Sequence, residues 1–293
     1  MIQRILILLI IFSFYINTNA QKGKQDIQLL AYNIGFNGVT AGIGSIINKD
    51  KNQKWVECFA KGFYQGCLGG LFIYSGKKLI FELNNQKNDL YGWPSKILYY
   101  AGASIAENAA LNKKFGKYWN IDIWAFRCDF SFGENSYFKA RLMVSSIYSA
   151  VYLLPKANFD WRRSVMTGTL IFSTNSMING HYGIAPVKAV GISTYFDNIP
   201  GYNEYYVISH ELIHTYQFRE YQIFNSWLKP FEEKVPKKIK NIFINYLYLD
   251  ISYMPVFYYL QGGEHNSQYY FKNFYEFEAE HFSTNTFVPL KRF

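Results

Sequence analysis

The spacing of apolar and polar positions divides the chain into three stretches. From about Gln53 to Tyr74, and again from Ile97 to Leu111, small residues mix with aromatics, as in Phe59-Ala-Lys-Gly-Phe-Tyr-Gln-Gly-Cys-Leu-Gly-Gly-Leu-Phe. This pattern predicts helices that pack closely through Gly and Ala faces. Lys61, Gln65, Glu107 and Asn108 interrupt both runs, which favours packed soluble helices over small-residue membrane helices. Residues 27–50 carry Gly35, Gly38, Gly42 and Gly44 and read as irregular chain. Residues 118–132, 137–154, 161–174 and 187–196 then alternate with period two; Phe138, Ala140, Leu142, Val144, Ser146 and Tyr148 share one face. Turn signals at Gly133-Glu-Asn-Ser, Pro155-Lys-Ala-Asn and Asn179-Gly-His-Tyr-Gly separate them, so an antiparallel sheet of four or more strands is expected. An eight-stranded membrane barrel would need about twice as many alternating segments.

After Asn198-Ile-Pro-Gly201 the period becomes helical. One helix is expected from Glu204 to about Trp227. A second runs from Lys237 to about Gln261 with a kink or break at Pro255, and a last one from about Ser267 to His281. The run from Ile242 to Leu260 is very apolar, but Asn245, Asp250, Ser252 and Pro255 make it a buried or interfacial helix rather than a span. The fold class expected is α+β in one domain. Residues 21–116 are helical, 117–198 form the antiparallel sheet, and 199–293 form a C-terminal helical part.

Composition changes this picture in a few places. The first residues join one charge, Arg4, to a short apolar run ending in Asn17-Thr-Asn-Ala20, which predicts a secretory signal peptide over residues 1–20. The mature chain is then exported, to the periplasm, the outer-membrane surface or the medium. Loss of Arg4 leaves 29 basic residues against 21 acidic ones, a net +8. The positive charge is scattered apart from Lys234-Val-Pro-Lys-Lys-Ile-Lys240, and no nucleic-acid motif accompanies it. Aromatic residues make up 20% of the chain, which suits a core, an interface or a peripheral membrane contact. Cys58, Cys67 and Cys128 cannot all pair internally and include no CxxC; one bridge from Cys128 to either of the others is compatible with the spacing.

The chemistry concentrates in Val207-Ile-Ser-His-Glu-Leu-Ile-His-Thr-Tyr-Gln. On a helix His210 and His214 stand at i and i+4 on one face, so both imidazoles can reach one zinc ion. Glu211 then lies near the open metal position, where it can take a proton from bound water as general base. A third histidine six residues after the second would fall at position 220, which is Glu220, and that residue is too close for a ligand on a separate helix. The third ligand is sought in Asn273-Phe-Tyr-Glu-Phe-Glu-Ala-Glu-His-Phe. There Glu276 and Glu280 share a helical face and Glu278 points elsewhere. Glu276 is the ligand preferred, with Glu278, Glu264, His265 and His281 as alternatives. Glu280, one turn on, would accept the second ring N–H of a bound histidine.

Glu276-Phe-Glu-Ala-Glu280 resembles the E-F-x-A-D element of the HtpX and CAAX-protease type of gluzincin metallopeptidases, in which it follows an HExxH helix by several tens of residues. The resemblance implies a zincin-like C-terminal part, with His210, His214 and Glu276 as zinc ligands and Glu211 as general base. Glu280 would stand in for the aspartate of that element, which in the family bonds a metal-bound histidine. It covers two short segments, and the β-rich, exported first half does not share it. The expected function is zinc-dependent peptide-bond hydrolysis on a peptide or protein substrate. The alternatives are a non-catalytic envelope or outer-membrane-associated protein with a structural zinc site, and a zinc hydrolase acting on other bonds. His265, His281 or a tyrosine could supply the proton donor, and His181, in a turn, reads as a surface residue. The strand Val187–Phe196 could pair with an extended substrate or be an ordinary core strand.

Overall fold

The computed structural model describes residues 20–132, 136–196, 203–232, 236, 241, 245–260 and 273–284. Positions 1–19 of the expected signal segment, and most of the basic patch at 234–240, lie outside them.

Three long helices open the fold: α1 (Ala20–Ile47), α2 (Trp55–Asn85) and α3 (Gly92–Ala110). Gly62, Gly66 and Gly70 recur every four residues and so form one stripe of α2. A Cβ on Gly62 would lie 2.7 Å from the Ala41 carbonyl of α1, and one on Gly70 would press into the Asn33 carbonyl. A second stripe faces α3, where a Cβ on Gly69 would lie 2.7 Å from the Gly102 carbonyl. Backbone meets backbone at these places, so no side chain fits. The same cause corrects the irregular stretch expected over 27–50, which is helical. Gly38, Gly42 and Gly44 are not turn residues but contact points beneath Cys67, Phe59 and Ala110. Among the described residues, no helix is long and apolar enough to cross a membrane.

The middle of the chain keeps the α+β class but not the single antiparallel sheet. Strands β1 (Tyr118–Ile123), β2 (Phe126–Ser131) and β3 (Tyr137–Met143) form an antiparallel meander. Then come helix α4 (Val144–Leu153), β4 (Asn158–Phe159), helix α5 (Trp161–Thr167), β5 (Leu170–Thr174), β6 (Gly183–Ile184) and β7 (Ala189–Ser193). The second sheet has the order β4-β5-β7-β6, with β5 and β7 parallel. Two expected strands are therefore half helix. In 144–153 the buried positions are Ser146, Ser149 and Leu153, a helical spacing marked by serines rather than by apolar residues. Asp250 accepts from the Ser145 backbone N–H at 2.9 Å, which supplies a cap from far along the chain. In 161–174, Asp160 caps α5 by accepting from Arg163 N at 3.0 Å, and Gly168 ends it at φ +66°.

The C-terminal part contains α6 (Glu204–Glu220), a 3₁₀ segment (Tyr221–Leu228) and α7 (Lys229–Glu232). β8 (Leu247–Tyr248), α8 (Met254–Leu260) and α9 (Phe274–Ser283) follow. β8 joins the first sheet parallel to β3, making it mixed as well. The long helix expected from Lys237 to Gln261 is thus broken before Pro255, which sits in the first turn of α8 where its missing N–H costs nothing. All three cysteines are free thiols, so no bridge forms.

α6 lies at the centre. Asn203 caps it by accepting from Tyr206 N at 3.0 Å, and Glu204 complements the positive end of the dipole. Every residue from Tyr206 to Glu220 is buried. Ile208, Leu212 and Ile213 pack with Val190 and Ile192 of β7, Ile80 and Leu83 of α2, and Ala279 and Phe282 of α9. Each of these large apolar side chains contributes roughly 1.5–3 kcal/mol by burial. The helix bearing the histidines is therefore clamped between β7, α2 and α9.

Candidate metal centre

His210 and His214 project from one face of α6 toward Glu276 in the first turn of α9. Asn273 starts α9 by accepting from Tyr275 N at 2.9 Å, which fixes where that turn begins. The two Nε2 atoms are 3.2 Å apart, and Glu276 Oε2 lies 3.4 Å from the first and 3.5 Å from the second. A tetrahedral ion bonded at about 2.0–2.1 Å separates its ligand atoms by about 3.3–3.4 Å. The three atoms thus match one face of a zinc tetrahedron. Glu276 Oε2 is buried without a hydrogen-bond partner among the described residues, as is His210 Nδ1. Two imidazoles and one carboxylate are also a donor set that suits zinc.

The electrostatics agree with a site built to hold positive charge. Burial alone would keep the His210 imidazole neutral, but Glu276 and Glu280 override it and push its pKa up to about 10. Burial likewise opposes charge on His214, and Glu276 raises it. Burial would raise the Glu276 carboxyl, yet the two histidines hold it well below the usual carboxylate range.

Glu211 opens onto a cleft of about 510 Å³ that His214 and Glu276 also line. The opposite wall is β6, the edge strand of the second sheet. A Cβ on Gly183 would lie 2.7 Å from Glu211 Oε1, so the absence of a side chain lets that strand reach the carboxylate. The strand weighed as a substrate edge, β7, is instead buried between β5 and β6; the outer position belongs to β6. His181, expected at the surface, lines the cleft together with Tyr148 and Tyr258, and Tyr258 donates to Glu276 Oε1 at 3.0 Å.

The remaining acidic and histidine candidates separate cleanly. Glu280 faces His210 Nδ1 at 3.7 Å, beyond hydrogen-bond range, while Tyr206 OH donates to its Oε2 at 2.5 Å. Glu278 points away to Lys77 and Gln217. His281 faces Asp26 at 3.1 Å, away from the cleft. Glu264 and His265 lie outside the described residues. Gln217, whose Oε1 is 2.8 Å from His214 Nδ1, was not among the residues expected at the site. Its position three residues after His214 was the available signal. Gly183 and Tyr258 were not expected either, since they meet the site only through tertiary contact. No family model, curated protein or solved structure matches the chain.

Proposed function

We propose that this protein is an exported zinc metallopeptidase in which His210, His214 and Glu276 hold the ion and Glu211 is the general base. The observation that carries this reading is the triangle of ligand atoms, with sides of 3.2, 3.4 and 3.5 Å, at the base of an open cleft. Three protein ligands, two of which line an open cleft, favour catalysis over a structural role, which commonly uses four. A zinc ion held by these residues would polarise a substrate carbonyl and lower the pKa of a bound water. Glu211 would accept the water proton and return it to the departing nitrogen. The β6 edge offers backbone groups to an extended peptide, with Gly183 keeping the approach clear. His181 and the hydroxyls of Tyr148, Tyr258 and Tyr259 are donors that line the cleft.

Metal analysis of the purified protein and its Glu211→Gln variant tests the reading. Near-stoichiometric zinc is expected in both, with hydrolysis of an unfolded protein falling by about 100-fold or more in the variant. Absence of zinc from the wild type would remove the metal site. Equal hydrolysis by both proteins would remove Glu211 as base.

A further inference from the structure

Beneath the two histidines, on the side away from the cleft, lies a chain of buried polar groups that the reaction above leaves unused. Gln217, on α6 one turn beyond His214, sends its Nε2 to the Tyr275 carbonyl at 2.9 Å and to Glu278 Oε2 at 3.0 Å. A carbonyl, and a carboxylate bonded to an ammonium, can only accept. The amide therefore cannot be reversed, and Oε1 must be the atom facing His214. Oε1 accepts, so the 2.8 Å contact requires the proton on His214 Nδ1. In the neutral ring the lone pair is then on Nε2, the atom at the corner of the metal triangle.

Glu278 is itself anchored. Its Oε1 accepts from Lys77 Nζ at 2.9 Å and from Asn33 Nδ2 at 3.0 Å. Lys77 spends its other two N–H bonds on Glu220 Oε2 at 2.6 Å and Asn33 Oδ1 at 3.0 Å, so its three donors are saturated. Lys77, Asn33, Gln217, Glu220 and Glu278 are all buried. Asn33 and Lys77 come from α1 and α2, the N-terminal helices in which the sequence revealed no chemistry.

We propose that Gln217 is a positioning residue for the metal, holding His214 as its Nδ1–H tautomer, and that the Lys77–Glu278 pair of the helical floor fixes Gln217 in turn. The proposal rests on the zinc site of the preceding subsection. The two histidines are then held differently. His214 donates to a neutral amide already in place, whereas His210 faces the Glu280 carboxylate across 3.7 Å.

Two variants of the full chain separate positioning from simple packing, read by zinc affinity in competition with a chromophoric chelator. Gln217→Met fills the space without an acceptor and is expected to weaken zinc binding 10–100-fold. Gln217→Glu still accepts from Nδ1–H and is expected to bind zinc more tightly than Gln217→Met, although its second oxygen opposes Glu278. Equal weakening in both variants, or weakening in neither, would overturn the proposal. A wild-type protein without zinc would instead reject the metal site itself. Should the variants fail to fold, ¹⁵N-histidine spectra of the zinc-loaded wild type decide. His214 bound through Nε2 with a proton on Nδ1 supports the proposal, and binding through Nδ1 overturns it.

Discussion

The two sides of the histidine-bearing helix follow opposite rules. Its floor, against α1, α2 and α9, is buried and centred on a paired ammonium: Lys77 lies among Glu220, Glu278 and Asn33, and each of its donors has a partner. Its roof is a cleft bounded by a two-residue edge strand and a short helix, with Glu211 and Glu276 at the bottom. A metal site needs both. Ligand atoms hold a tetrahedral spacing only if their stems cannot move, and a substrate enters only where the chain stays apart. Changes on the floor should therefore act first on stability and metal affinity, and changes on the roof on turnover.

The largest effect is expected on the floor. Burial would strip the proton from Lys77, but Glu220 and Glu278 hold its pKa above the ordinary lysine range. Lys77→Met leaves two buried carboxylates without their cation and should cost about 3–5 kcal/mol of stability in urea unfolding. Combining it with Glu220→Gln and Glu278→Gln removes the orphaned charges and should recover much of that loss. A Lys77→Met protein as stable as wild type would contradict the account of a charge-locked floor.

On the roof, Gly183→Ala should spare zinc binding while lowering kcat. The added methyl would lie 2.7 Å from Glu211 Oε1 and 2.5 Å from Val207 Cγ1. The carboxylate, at the end of a flexible side chain, is the group that yields. A displacement near 1 Å can cost about 100-fold in rate. If kcat persists and zinc affinity falls instead, the division between roof and floor is wrong. Tyr258→Phe falls where roof meets ligand, because the tyrosine lines the cleft yet bonds Glu276, so its loss is read in metal affinity. It removes the 3.0 Å bond to Glu276 Oε1, worth about 1.5–3 kcal/mol to a charged acceptor, so zinc affinity should fall by up to about 10–100-fold with the fold intact.

What could be read in advance follows the same division. That His210, His214 and Glu276 come together was legible because the first two stand at i, i+4 on one helix and the third is an acid on another, and their ligand atoms lie within 3.5 Å of one another. Gln217 stood in plain view at i+3. Its role depends on which way the amide points, and that is set by Tyr275 and Glu278, 58 and 61 residues away. Lys77 was invisible, since lysine is ordinarily solvated and only tertiary packing buries it among acids. The helix α4 was misread because its inward face is serine and its cap, Asp250, comes from 105 residues further on. The glycines of α1 were misread because a residue that permits a turn equally permits two backbones to touch.

A second buried lysine gives the most discriminating test, because it reads a slope with pH rather than a loss. Lys96 of α3 bonds the Gly168 carbonyl at 2.6 Å, Thr169 Oγ1 at 2.7 Å and the Asp122 carbonyl at 3.2 Å, with no carboxylate as direct partner. Burial accordingly lowers its pKa from 10.5 to about 7, the opposite of Lys77. Between those two values the unfolded chain holds a proton at this position that the folded chain has released. Raising the pH from 7 toward 10.5 therefore favours folding through Lys96, and the gain is complete above the unfolded value. Lys96→Met removes that gain, so wild-type stability should rise relative to the variant across this window, by up to about one proton's worth of pH dependence. Urea unfolding of both proteins at pH 7, 8, 9 and 10 measures it. Parallel curves would mean that Lys96 keeps its proton as Lys77 does, and that carbonyl and hydroxyl partners hold a buried ammonium as well as two carboxylates can.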